Sequence, residues 1–109
     1  MTDIIKVLGQ LDAAATTEED LYTVPNLSQT TTSTLAVANR TGASITFRVS
    51  VSPDDAATDP KDYLYYDAPL AANSTLTAVL GMTLAQNDTV RIYASATGLS
   101  FNLFGVETS

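Results

Sequence analysis

Ser44-Ile45-Thr46-Phe47-Arg48-Val49-Ser50-Val51-Ser52 alternates without a break. Ile45, Phe47, Val49 and Val51 fall on one side, and Thr46, Arg48, Ser50 and Ser52 on the other. Strict period-two alternation is the mark of a half-buried β-strand. Working outward, Thr32 to Asn39 carries Leu35 and Val37 inward. Arg40-Thr41-Gly42-Ala43 then reads as a tight hairpin, with Gly42 supplying positive φ. Ser74 to Leu80 sets Leu76, Ala78 and Leu80 against Thr75, Thr77 and Val79. Thr89 to Ala96 sets Val90, Ile92, Ala94 and Ala96 against Thr89, Arg91, Tyr93 and Ser95.

Shorter segments complete the pattern. Ile4 to Leu8 is an apolar run, and Asp20 to Val24 is stopped by Pro25, which cannot donate to a ladder. Tyr63 to Ala68 is an aromatic strand ending before Pro69. Ser100 to Val106 follows a turn at Thr97-Gly98. A single helical turn at Thr17 to Asp20 is the only helix expected. Turn signals recur about every ten residues, a spacing that predicts an all-β antiparallel sandwich. The expectation is one domain over residues 1–109 with about eight strands, jelly-roll-like or Ig-like, and a short N-terminal arm over about residues 1–18. Its predicted core is Leu35, Val37, Ile45, Phe47, Val49, Val51, Leu76, Leu80, Val90, Ile92, Phe101 and Leu103.

Composition agrees and also narrows function. The chain has 109 residues, 45% hydrophobic and 16% charged, enough apolar content for one thin core. Ser and Thr make up roughly a quarter of it, about twice ordinary usage. Thr suits a pleated surface, because its branched Cβ favours extended backbone and its hydroxyl tolerates water. No His is present, so there is no imidazole base or His-based metal site. No Cys is present, which excludes thiol nucleophiles, disulfides and Cys-ligated metals. Twelve acidic against five basic residues give a net charge of −7, unsuited to nucleic acid or an anionic membrane. The opening Met1-Thr2-Asp3-Ile4-Ile5-Lys6 lacks a signal-peptide pattern, and no apolar run approaches the ~18 residues that span a bilayer. The expectation is a soluble product of the cytoplasm, with no cofactor.

Three constellations invite chemistry. Asp54, Asp55, Asp59 and Asp62 gather in one loop, a weak calcium candidate without EF-hand order; the plainer reading is a solvated loop of Asx turns stiffened by proline. Read as a glycosidase pair, the same carboxylates lack the Trp platforms and deep cleft that sugar hydrolysis uses. Asn26, Asn39, Asn73 and Asn87 each head an N-x-[ST] triplet, which Thr-rich composition alone produces. No catalytic residue is assigned, and the chain is expected not to be an enzyme.

Apolar residues on the polar side are more informative. In the last strand Leu99, Phe101 and Leu103 point one way, and Ser100, Asn102, Phe104 and Val106 the other. Tyr63 and Tyr65 likewise oppose Leu64 and Tyr66. Such residues are either ordinary exposed surface or contacts with another subunit. The expected interface comprises Ile4, Ile5, Val7 and Leu8 with Tyr66, Phe104 and Val106, and the expected assembly is a homotrimer.

Several segments taken in order also carry a resemblance: Ile5-Lys6-Val7-Leu8-Gly9-Gln10, Asp20-Leu21-Tyr22-Thr23-Val24-Pro25, Phe47-Arg48-Val49-Ser50-Val51, Tyr63-Leu64-Tyr65-Tyr66-Asp67, Arg91-Ile92-Tyr93-Ala94-Ser95 and Ser100-Phe101-Asn102-Leu103-Phe104-Gly105. Through them the chain resembles a family of small tailed-bacteriophage virion structural proteins. The resemblance implies a β-sandwich and a virion setting, and supplies no catalytic residue. Capsid decoration (a cement protein) is the first expectation, with the major capsid protein or neck and tail proteins as partners. A neck, tail or fibre-associated module that binds a host receptor or glycan is the alternative, and a fragment of a bacterial adhesin is a third reading.

Overall fold

The structure, a computed structural model, describes residues 2–109. Its strands are β1 (Asp3–Asp12), β2 (Glu19–Thr23), β3 (Gln29–Asn39), β4 (Ile45–Ser52), β5 (Tyr63–Leu70), β6 (Thr75–Val79), β7 (Thr83–Leu84), β8 (Thr89–Ala94) and β9 (Leu99–Thr108). They form two antiparallel sheets packed as a sandwich. One has five strands in the order β1-β9-β3-β6, with β7 also on β3; the other has four, in the order β2-β8-β4-β5. The eight expected strands are all present, and β7 is the ninth, too short to show alternation.

Between the sheets, Leu35 and Val37 of β3 and Leu99, Phe101 and Leu103 of β9 meet Phe47 and Val49 of β4 and Val90 and Ile92 of β8, all essentially buried. The Phe47 ring lies 6.2 Å from Phe101, edge to face, and 5.5 Å from Tyr65. Nine of the predicted core residues are buried, while Val51, Leu76 and Leu80 pack only partly buried against the core. Leu8, Leu21, Tyr22, Val24, Leu70 and Leu84 extend it beyond the prediction.

Three local expectations are corrected. Residues 40–43 are no hairpin: β3 and β4 lie in different sheets, and Gly42 does not have positive φ. The corner is built by the buried amide of Asn39 instead. Its Nδ2 donates to the carbonyls of Ala43 (2.8 Å), Leu70 (3.1 Å) and Ala71 (3.2 Å), and its Oδ1 accepts from the Thr41 backbone (2.9 Å) and hydroxyl (2.7 Å). No helical turn forms at residues 17–20, where β2 begins; the helical turns are two short 3₁₀ turns, Pro53–Asp55 and Pro60–Asp62.

The third correction is the N-terminal arm. Residues 3–12 are a full edge strand along β9, and residues 13–16 are tied down as well, with the Ala13 amide donating to Leu99 O (3.1 Å) and Thr16 to Ala94 O (2.8 Å). A bulge between Val7 and Gly9 hid the continuation of this strand beyond Leu8, because it reverses which side odd-numbered residues face. Leu8, at the bulge, turns into the core, so this expected interface residue is unavailable to a partner.

Candidate functional site

The outer face of the five-stranded sheet gathers most of the misplaced apolar residues. Along β9, Leu99, Phe101 and Leu103 are buried while Phe104 and Val106 are only half-buried, so the latter two face outward. Register then places their neighbours, because directly paired residues share a face. Ile5 pairs with Val106, which pairs in turn with Thr31 of β3. Val7 pairs with Phe104, Phe104 with Thr34, and Thr34 with Val79 of β6. Two rungs of apolar and Thr side chains thus cross the sheet. Ile5 is 87% exposed and Val79 84%, so the strip is open to solvent at both sides.

Polar pairs bound the strip along β1 and β9. Thr108 Oγ1 donates to Asp3 Oδ1 (2.8 Å) at one end, and Gln10 Nε2 donates to Asn102 Oδ1 (2.8 Å) at the other. An apolar centre with a polar rim is the anatomy of a protein contact surface. Ile5, Val7, Phe104 and Val106 of the expected interface therefore come together, joined by Val79. Ile4 does not join them: it pairs with the inward-facing Glu107. Tyr66 lies on the other sheet.

A buried polar group holds β1 in place beneath this face. Tyr22 of β2 donates its hydroxyl to Glu107 Oε2 and shares a hydrogen bond with Thr30 (2.8 Å), while Lys6 Nζ reaches Glu107 Oε1 at 3.2 Å. The hydrogen bond from Tyr22 holds the Glu107 carboxyl below the usual range against the opposing effect of burial, and Lys6 adds to it. Burial first, then the adjacent Glu107, pushes the Tyr22 phenol upward. Nothing in the local sequence announces this group, whose members lie on four separate strands.

The acidic loop does other work. Asp55 Oδ1 accepts from Arg91 (2.9 Å) and Thr89 (2.9 Å). Asp59 and Asp62 form a reciprocal cap around the 3₁₀ turn, with the Asp59 amide donating to Asp62 Oδ2 at 2.9 Å. The Asp54 backbone donates to Asp88 Oδ1 (3.0 Å). Among the described residues no group of three or more acidic side chains is placed to hold a metal, so the calcium candidate's four carboxylates are not brought together. Asn39, with its amide buried and bonded, is closed to glycosylation.

Every Lys and Arg side chain sits in an ion pair: Lys6 with Glu107, Arg40 with Asp12, Arg48 with Asp67, Lys61 with Asp59, and Arg91 with Asp20 and Asp55. On the outside of the four-stranded sheet, Arg48 holds Asp67 through Nε (2.7 Å) while its guanidinium lies over Tyr66 (4.3 Å) and Tyr93 (4.4 Å). No protein-family model matches this chain, and no curated protein or solved structure matches it either.

Proposed function

We propose that this chain is a non-enzymatic bacteriophage virion structural protein, a capsid-decoration module that seats on the assembled head through the outer face of its five-stranded sheet. The observation that carries the reading is the strip of Ile5, Val7, Phe104, Val106 and Val79, apolar side chains on β1, β9 and β6, with Thr34 of β3 between Phe104 and Val79, bounded by polar pairs. The ordered segments that resemble small virion proteins supply the setting. A net charge of −7, with all five cations already paired, favours an outward position over contact with packaged DNA.

Burying an exposed Ile, Val or Phe side chain stabilises by ~1.5–3 kcal/mol. Five such residues make a small contact, and association itself costs several kcal/mol. Binding is therefore strongest where the lattice presents many sites and neighbouring copies touch, most simply as a trimer on a local threefold. A protein that binds only the assembled lattice stabilises it by mass action.

The test is a phage lacking the protein, complemented with purified chain. Particles without it are expected to assemble yet rupture at lower temperature, with wild type restoring them and an Ile5→Asp/Val79→Asp double variant failing to. Both positions are so exposed that the double variant should fold normally. Particles that are equally robust without the protein but fail to adsorb to host cells would replace this reading with a neck, tail or fibre-associated receptor-binding role.

A further inference from the structure

The opposite face of the sandwich carries a different surface, and its features do not depend on the particle reading. Two register shifts between β4 and β5 interrupt the alternation of β5, and Asp67 there adopts φ of 49°. Tyr63 and Tyr66, three residues apart, consequently meet edge to face at 4.8 Å and 79°. Tyr66 is 59% exposed, yet it is not free to swing. Arg48 stacks between it and Tyr93, and the two-point grip of Asp67 fixes Arg48 in turn. An exposed aromatic held this way offers contact area with little ordering cost left on binding.

Across from the tyrosines stands the capped turn at Pro60, rigidified by Asp59 and Asp62. Beside it Thr58 is held between Glu18 (3.1 Å) and Arg91 (3.2 Å). Thr58, Pro60, Tyr63 and Tyr66 line a recess of about 530 Å³, within the roughly 300–1,000 Å³ typical of small-molecule sites. Among the described residues the hydroxyls of Tyr63 and Tyr66 make no hydrogen bond, whereas buried Tyr22 makes two.

Charge selects the ligand. A surface of net −7 repels anions. A cation finds its place on Tyr66 already taken by Arg48, and the nearby carboxylates of Asp59 and Asp62 are engaged by backbone amides and Lys61. What remains suited is a neutral ring with an apolar face and a rim of hydroxyls. We propose that this recess binds a neutral pyranose sugar, its C–H face against a tyrosine ring and its hydroxyls on the Tyr63 and Tyr66 phenols. A chain seated by its five-stranded face would turn this recess toward the medium.

The experiment is an amide-resolved NMR titration of the isolated chain with methyl glucopyranoside, methyl galactopyranoside, N-acetylglucosamine, maltose and lactose at millimolar concentration, with sialic acid and tetramethylammonium as charged probes. Saturable shifts confined to residues 58–66 and 93 with at least one neutral sugar are expected. Tyr66→Ala should weaken that binding about tenfold, or ~1.4 kcal/mol, and Tyr63→Phe should weaken it several-fold without disturbing the ring stack. The proposal is overturned if no neutral sugar gives saturable shifts, if the charged probes bind in preference, or if binding survives both tyrosine variants. Because the free chain is used, failure here is distinct from failure of particle attachment.

Discussion

Phe47 is 1% exposed and touches both the opposite sheet and Tyr65. Replacing it with Ala removes a ring at the centre of a thin core, and the expected cost is about 3–5 kcal/mol, read from the urea midpoint at unchanged slope. Its neighbours were legible because β4 alternates over its whole length. Glu107 was not, since the meaning of a carboxylate near a strand end depends on Tyr22, 85 positions away. Its folded pKa is depressed, so the stability it contributes is present above the ordinary glutamate value of about 4.3 and is lost as pH falls through the lower folded value. Glu107→Gln should therefore lower the melting temperature at neutral pH and flatten the loss of stability on acidification. Thermal scans across the acid range would show equal acid sensitivity in both proteins if the carboxylate contributed nothing.

At the scale of elements, alternation located the strands but not their partners. Thr32 to Asn39 and Ser44 to Ser52 look like a hairpin because a Gly lies between them, yet a loop that crosses between sheets needs the same turn residues. The deciding feature is the buried Asn39 amide, whose acceptors at Leu70 and Ala71 come from another part of the chain. Bulges hid more of the candidate site. Val7 and Leu8 read as successive members of one apolar run, and only the register shift sends Leu8 inward while Val7 stays out. Gly9 shows how closely that strand is fitted: a Cβ there would collide with the Leu21 carbonyl oxygen. Gly9→Ala should push β1 from β2 and cost about 1–3 kcal/mol. Hydrogen exchange should then quicken in β1 while β4 amides stay protected; uniform quickening would mean that β1 does not open separately.

For the molecule as a whole, the polar groups are largely satisfied from within. Among the described residues no buried side-chain nitrogen or oxygen lacks a hydrogen-bond partner. The acidic loop is folded onto Arg91, Thr89 and its own amides. Chelation by EDTA is accordingly expected to leave the melting temperature unchanged, and a fall of several degrees would restore calcium as a ligand of that loop. Composition had excluded thiol and imidazole chemistry at the outset. Of the apolar residues on that outer face, Ile5, Val7, Phe104 and Val106 were singled out in the sequence and Val79 was missed, since β6 reads as having its Thr side outward and nothing local singles out one valine on it.

One feature of the topology also governs how the chain reaches this structure. β9 pairs with both β1 and β3, so the middle of the five-stranded sheet is the final strand in chain order. Until it arrives, β1 has no ladder partner, the floor of the core is missing Leu99, Phe101 and Leu103, and the inward side chains of β4 and β8 face water. Closure joins residues about a hundred positions apart, and assembly dominated by such distant contacts proceeds in milliseconds to seconds rather than microseconds. A growing chain therefore carries the unpaired edges of β1 and β3 until residues 99–108 have emerged, and the five-stranded sheet closes only then.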